Sequence, residues 1–376
     1  MNDRLMSVIN RTRKISFMNR KLPITAVMLS VLIILSSCGM TTKPSEASTT
    51  SATSSAGSSS AETAITEGST VEPVNIDHTF NPHVISQMYV DKYGEQFKED
   101  YFKYCDAILS GADSVECSKP LWMNLFQSIS RVNLPIVYEY CYNSDEYFGA
   151  VGDGVYELTY SIPKDEYLKK VEEFKSRVEN LIERAVLADD SELEKALALY
   201  ISESARIDYD YDAMGSVSFR SEEGYGISPY RAIMTDKGIC QETAGCYAYL
   251  LLQIGIDAIT CSGLTKDSSA AHEWTIVNLG GKYYHCDPTY QCSEKFSVNY
   301  FGMNDAEREK QGDWDMPYNN IGDTNEIWQP DFPPFDDSKF EQFWTCYNCL
   351  LDREENKIFC YDNSGTENAN YFTMEV

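Results

Sequence analysis

The chain has 376 residues, with 31 Lys and Arg against 58 Asp and Glu and a formal charge of −27 at neutral pH. The first 38 residues hold six basic residues against Asp3, so the remainder carries 25 basic and 57 acidic residues, a charge of −32. An excess this acidic argues against a nucleic-acid partner and against direct docking on anionic lipid, and reads as a solubility device for an exported protein.

The N-terminus has the build of a secretory signal. Arg11, Arg13, Lys14, Arg20 and Lys21 precede an apolar run over residues 22–35 that is short for a membrane span. The run ends in Leu35-Ser36-Ser37-Cys38-Gly39, which resembles the lipobox of bacterial lipoproteins. That resemblance implies a signal peptide over 1–38 and diacylglyceryl attachment at Cys38, where two acyl chains make a stable anchor on the extracytoplasmic side of the cell membrane. Met18, just before Asn19-Arg20-Lys21, is an alternative start. Residues 39–75 are dominated by Ser, Thr, Ala, Gly and Glu, too polar to fold, and form a disordered tether.

The folded part is expected in three stretches. These are a mixed helix and strand region over 76–190, a catalytic core over 191–310 and an aromatic, acidic extension over 311–376. Short helices are expected between 84 and 130, and the alternating segments at 134–142 and 154–162 read as two strands. Pro163 opens a long amphipathic helix whose apolar face runs Tyr167, Val171, Phe174, Val178, Leu181 and Ala185. Ser191 and Glu194 have capping-box spacing ahead of a second helix. A third helix starts at Cys240 and buries a face of Ala244, Tyr247, Ala248, Leu251 and Leu252, with Gly255 placed for its C-terminal cap. A strand follows at 256–263, and then two alternating strands flank Gly280-Gly281, a dipeptide suited to a tight hairpin turn.

Apart from Cys38 and Cys240, ten cysteines remain. In an exported chain they permit disulfides without requiring them. Cys346, Cys349 and Cys360 are spaced like part of a zinc site, but the spacing shows no fourth ligand, and structural thiols or a disulfide rank first.

A thiol in the first turn of a helix faces backbone N–H groups and the positive end of the helix dipole, which favour thiolate. That singles out Cys240 as a nucleophile. Its base must come from His78, His83, His272 or His285. With a two-residue turn, Leu279 faces Lys282, Trp274 faces Asp287 and His272 faces Thr289. Asp287 then becomes the diagonal neighbour of His272 on one sheet face. His285 shares that face, so face alone does not choose between the two histidines. Taken singly, each of these residues has an ordinary structural use, since free cysteine is among the most buried residue types.

Gly238-Ile239-Cys240-Gln241-Glu242-Thr243-Ala244, then His272-Glu273-Trp274, then Asp287-Pro288-Thr289 resembles the core of the transglutaminase-like superfamily over roughly residues 192–305. The trailing Asn299–Glu309 segment is similar to the stretch that follows the core in bacterial members. The resemblance implies an α+β, papain-like fold with the nucleophile helix packed on an antiparallel sheet. It also implies Cys240 as nucleophile, His272 as general base and acid, and Asp287 as the carboxylate that orients it. His285 departs from the family pattern, which is apolar or variable there.

The implied chemistry is acyl transfer. The thiolate attacks an amide carbonyl of a peptide or protein substrate, the Cys240 N–H is a candidate oxyanion donor, and a thioester forms as His272 protonates the leaving amine. Water as acceptor gives a hydrolase or protease, slightly favoured because many bacterial relatives of this layout are hydrolases, and an amine gives a crosslinking transferase. No metal or organic cofactor is implied. The competing reading is a tethered, non-catalytic binding module in which residues 76–190 and 318–345 bind wall or glycan and the triad is a relic.

Overall fold

The computed structural model describes residues 74–141, 150–152, 154–214, 221, 224–264, 271–292, 297–312, 320–321, 333–352, 357–362 and 371–375. The signal segment, Cys38 and all but the end of the tether lie outside these residues. Its last two residues are already part of the fold. Asn75 bridges Leu187, and the Ala188 N–H donates to the Val74 carbonyl at 3.0 Å.

A short helix, Gln87–Tyr93, leads into α1 (Glu95–Leu109) and α2 (Pro120–Asn133). The segment 134–142 is not the strand expected from its alternation, since Ile136–Tyr140 is a helical turn. Leu134, Val137 and Cys141 are buried at steps of three and four, and Pro135 already has helical backbone angles. Burial at helical spacing therefore overrides the β-propensity of the Ile-Val-Tyr run. Of the second expected strand, Val155–Glu157 forms, pairing antiparallel with Ser114–Glu116 and Ala150–Gly152.

The long helix α3 (Lys164–Ala185) begins directly after Pro163 and buries Tyr167, Val171, Phe174, Val178 and Leu181, while Ala185 is only partly covered. In α4 (Glu192–Arg206) the capping box is present in both directions. The Glu194 N–H donates to Ser191 Oγ at 3.2 Å, and the Ser191 N–H donates to Glu194 Oε2 at 2.8 Å. A two-turn helix, α5 (Pro229–Thr235), then precedes α6 (Cys240–Gln253).

The single apolar face expected for α6 understates its surroundings. Every residue from Glu242 to Gln253 is buried, because the helix lies on the sheet and is wrapped by α2, α4 and α5. Side chains such as Leu250 and Leu251 each stabilise this packing by roughly 1.5–3 kcal/mol. The helix ends at Gly255, whose φ of +82° lets the Ile256 N–H turn back to the Leu251 carbonyl at 3.0 Å.

The sheet beneath α6 is antiparallel. It contains β1 (Ala258–Leu264), β2 (Ala271–Leu279), β3 (Lys282–Cys286) and the short β4 (Asn320–Ile321), in the order β3-β2-β1-β4. Gly280 and Gly281 both have positive φ, +61° and +82°, as a tight two-residue hairpin turn requires. The register runs from Leu279↔Lys282 to Thr275↔Cys286, as the two-residue turn demands. The outer pairs, Trp274 with Asp287 and His272 with Thr289, do not form. The strand stops at Cys286 because Pro288 has no N–H for the ladder and starts the short helix Pro288–Gln291, with Asp287 as its N-cap.

Toward the C-terminus, a 3₁₀ turn, Glu341–Thr345, precedes an antiparallel sheet of Cys346–Asp352, Lys357–Asp362 and Tyr371–Glu375. Phe340 and Phe343 pack edge-on against Phe301, which ties this turn to the core. Among the described residues no helix is long and apolar enough to cross a membrane.

Candidate active site

Cys240 is the first residue of α6 and is half-buried. The turn that carries it is held from within. The Glu242 carboxylate accepts the Ile239 N–H at 2.9 Å and the Ser228 N–H at 3.1 Å, and Arg231 Nε donates to it at 2.8 Å. Arg231 also donates to Asp210 Oδ2 at 2.6 Å. Burial raises the Glu242 carboxyl against the opposing pull of Arg231. Removing one member of such a buried pair typically costs about 3–5 kcal/mol, so the helix start is rigid where the thiol needs a fixed position. Thr275 Oγ1 donates to the Ala244 carbonyl at 2.9 Å and keys β2 to α6, which sets the separation between nucleophile and base.

His272, on β2, is buried, with Nε2 at 2.7 Å from Asp287 Oδ2. Cys240 is also among the groups that raise the imidazole, ranking behind Asp287 and Tyr290. With Nε2 committed to the carboxylate, Nδ1 is the nitrogen left for the thiol. Asp287 is held on every side. Its Oδ1 accepts the Thr289 N–H at 3.2 Å, its carbonyl accepts the Tyr200 hydroxyl at 3.1 Å, and its own N–H donates to the Tyr300 carbonyl at 2.9 Å.

Burial alone would lower the affinity of His272 for a proton, yet the Asp287 carboxylate outweighs it. Helped by Tyr290 and Cys240, that carboxylate holds the imidazole well above its ordinary value. Burial likewise favours a neutral Asp287, but His272 and Arg308 keep its carboxyl below the usual range. Cys240, His272 and Asp287 are thus brought together in that order, an arrangement that can pass a proton from thiol to imidazole while the carboxylate steadies the imidazolium.

His285, the other histidine of this sheet face, is built differently. Trp274 Nε1 donates to its Nδ1 at 2.9 Å, and its Nε2 lies 3.0 Å from Asp305 Oδ1. Accepting from the indole requires an unprotonated Nδ1. Burial pushes this imidazole down, Arg308 adds to the effect, and Asp305 only partly opposes it. His285 is therefore a neutral brace for Trp274. The indole itself has room because a Cβ at Gly263, on the neighbouring strand, would meet the ring at 2.8 Å.

Three residues of this neighbourhood carry no role in the sequence reading. Asp305 and Arg308 come from α7 (Asp305–Gly312), and Arg308 Nη2 lies 3.1 Å from Asp287 Oδ2 with its guanidinium 4.3 Å over the Trp274 ring. The available signal was the Asn304-x-x-Glu307 spacing, an N-cap that forms here, with the Glu307 N–H donating to Asn304 Oδ1 at 2.9 Å. Arg131 reaches over from α2. It donates to the Gln241 carbonyl at 3.3 Å and to Glu273 at 2.5 Å, gripping the chain next to Cys240 and next to His272. No local pattern marks it.

Cys246 and Cys261, like the other cysteines whose side chains are described, are free thiols. Most are deeply buried, and burial pushes Cys141 and Cys286 up to about 12. Cys349 and Cys360 sit opposite each other in register, and their side chains lie outside the described residues. Among the described residues no group of His, Cys, Asp and Glu is arranged to hold a metal ion.

A helix whose N-terminal cysteine meets a histidine from an antiparallel sheet is the layout of an α+β, transglutaminase-like fold. Residues 179–288 match the family model of the Transglutaminase-like superfamily, so the chain carries a transglutaminase-like domain over this segment, a class that is generally enzymatic. Among solved structures, a protein from Cytophaga hutchinsonii named as a cysteine protease is similar at 21% identity over 25% of this chain and 30% of that one, with a TM-score of 0.21. A structure named as a TGase is similar at 17% identity over 34% of each chain, with a TM-score of 0.27. This chain thus spans about a third of the length of either. No curated protein matches the chain.

Proposed function

We propose that the protein is a surface-anchored cysteine acyl-transfer enzyme that cleaves amide bonds of peptides or proteins through a thioester on Cys240. The observation that carries this reading is a half-buried thiol at a helix start that bears on the proton affinity of a histidine held 2.7 Å from a buried carboxylate. In this reading Cys240 Sγ attacks the carbonyl carbon, and the tetrahedral oxyanion takes the Cys240 N–H as one donor. The thiol proton, held on His272, goes to the leaving amine as the C–N bond breaks. Water, deprotonated by the same imidazole, then releases the acid and restores the thiol.

Water as acceptor is proposed ahead of an amine. The basic stretch, the short apolar run and Leu35-Ser36-Ser37-Cys38 support anchoring through a diacylglyceryl group on Cys38. Nothing in the composition calls for a cofactor. The test is incubation with a glutamine-rich protein such as casein, with and without a fluorescent primary amine. Free amino groups or ammonia released without amine incorporation support hydrolysis, and covalent amine incorporation shows a transferase. Neither product, with Cys240 inert to iodoacetamide, would return the chain to the binding-module class.

A further inference from the structure

Asp287 must stay ionised to orient His272, yet it has no exposed surface. A carboxylate taken out of water needs a compensating positive charge, and a single imidazole that gains and loses a proton during turnover is an inconstant source of it. Arg308 supplies a constant one. It is itself fully buried, its Nη2 is 3.1 Å from the same Oδ2 that His272 uses, and its plane rests on Trp274 at 4.3 Å. The stack is in turn fixed, because the Trp274 N–H is spent on His285 and His285 on Asp305, which shares α7 with Arg308.

We infer that Arg308 is a positioning residue of this site. Its guanidinium balances the charge of Asp287 and fixes the carboxylate toward His272, so that it sets the pH range in which Cys240 reacts. The inference rests on the triad reading. It deepens that reading by giving a task to a helix outside the matched segment, which ends at residue 288.

The sign of the effect follows from the groups around it. His272 is faced by Cys240 from α6 and by Asp287 and Tyr290 from the chain after β3. Arg308 is faced by Asp287, by His285 from β3 and by Cys261 from β1, with Asp305 on its own helix. Glu273, next in chain to His272, is engaged by Arg131. A buried cation here disfavours proton binding at its neighbours. Deleting it raises their proton affinity, so the active thiolate–imidazolium pair forms at higher pH.

The experiment is the pH dependence of iodoacetamide alkylation of Cys240 in the native protein. For Arg308→Gln the midpoint is expected to move up by about one pH unit or more. For Arg308→Lys, which keeps the charge but loses the planar stack on Trp274, the midpoint should stay close to wild type while the rate falls. A purely structural residue would scale the rate at every pH without moving the midpoint. A folded Arg308→Gln protein whose profile overlays wild type overturns the inference.

Thermal unfolding gives an arm that needs no reactivity. If the two buried charges are coupled, the double variant Asp287→Asn/Arg308→Gln unfolds at a higher temperature than either single variant. This arm also decides the matter if Arg308→Gln does not fold. A double variant no more stable than the worse single overturns the inference. Failure of the triad reading looks different, as Cys240 would then resist alkylation at every pH in the wild-type protein.

Discussion

Two histidine–aspartate pairs lie on one face of the same sheet, and they behave in opposite ways. His272 with Asp287 and His285 with Asp305 both place a buried imidazole within hydrogen-bonding distance of a carboxylate, at 2.7 and 3.0 Å. Yet the first imidazole is held above its ordinary value and the second below it. The carboxylates differ in burial, since Asp287 is fully enclosed while the Asp305 side chain keeps a third of its surface exposed and is therefore screened. The second nitrogens differ too. That of His272 is offered to a thiol, and that of His285 accepts an indole N–H. A histidine beside an aspartate is thus no sufficient mark of a general base. What its other nitrogen touches assigns the role.

The comparison breaks first at the nucleophile. Cys240→Ala should reduce amide cleavage to background, with circular dichroism and unfolding midpoint unchanged, because losing one sulfur from a half-buried helix start leaves little cavity. Next in size, Asp287→Asn should lower turnover by roughly 10³- to 10⁴-fold, since the amide favours the wrong imidazole tautomer. It should also lower stability, as Arg308 then faces a neutral group. His285→Gln should keep a substantial part of the activity while costing about 1–3 kcal/mol in denaturant unfolding, the usual price of disturbing a buried hydrogen bond. If His285→Gln abolishes activity and His272→Gln does not, the two roles are reversed.

Stability against pH sharpens the same contrast. The raised His272 contributes stability that is present below the ordinary histidine value and lost as pH rises through its folded value. The depressed His285 contributes stability that is present above the ordinary value and lost as pH falls toward its folded value. His272→Gln should therefore flatten the alkaline side of the curve, and His285→Gln the acid side. The smallest effect is expected at Arg131→Ala, on the order of 1 kcal/mol because the pair keeps some solvent. It should be accompanied by a several-fold slower alkylation of Cys240 as the spacing between α6 and β2 loosens.

What the sequence makes legible here is what local chemistry decides. The Gly280-Gly281 turn determines the hairpin register down to Thr275↔Cys286, and Ser191 with Glu194 declare the start of α4. The proximity of His272 to Asp287 follows from that register, even though Pro288 ends the strand early and changes how Asp287 arrives. Three features were hidden for a common reason, namely that distant chain creates them. The turn at 136–140 is helical because of what buries it, α6 is enclosed on sides its own periodicity does not show, and Arg131 and Arg308 reach the site from α2 and α7. Charged side chains that act across such sequence distances leave no periodic trace.

Site-resolved alkylation is the most direct test of the central claim that Cys240 is an activated nucleophile. Native protein is treated with iodoacetamide at near-neutral pH and the labelled peptides are mapped, alongside His272→Gln. Cys240 should be modified first and much faster than in the variant, while Cys105, Cys141, Cys246, Cys261 and Cys286, buried and held in the thiol form, should label only after unfolding. Labelling of Cys240 at the same rate with and without His272, or recovery of Cys240 in a disulfide, would contradict the account.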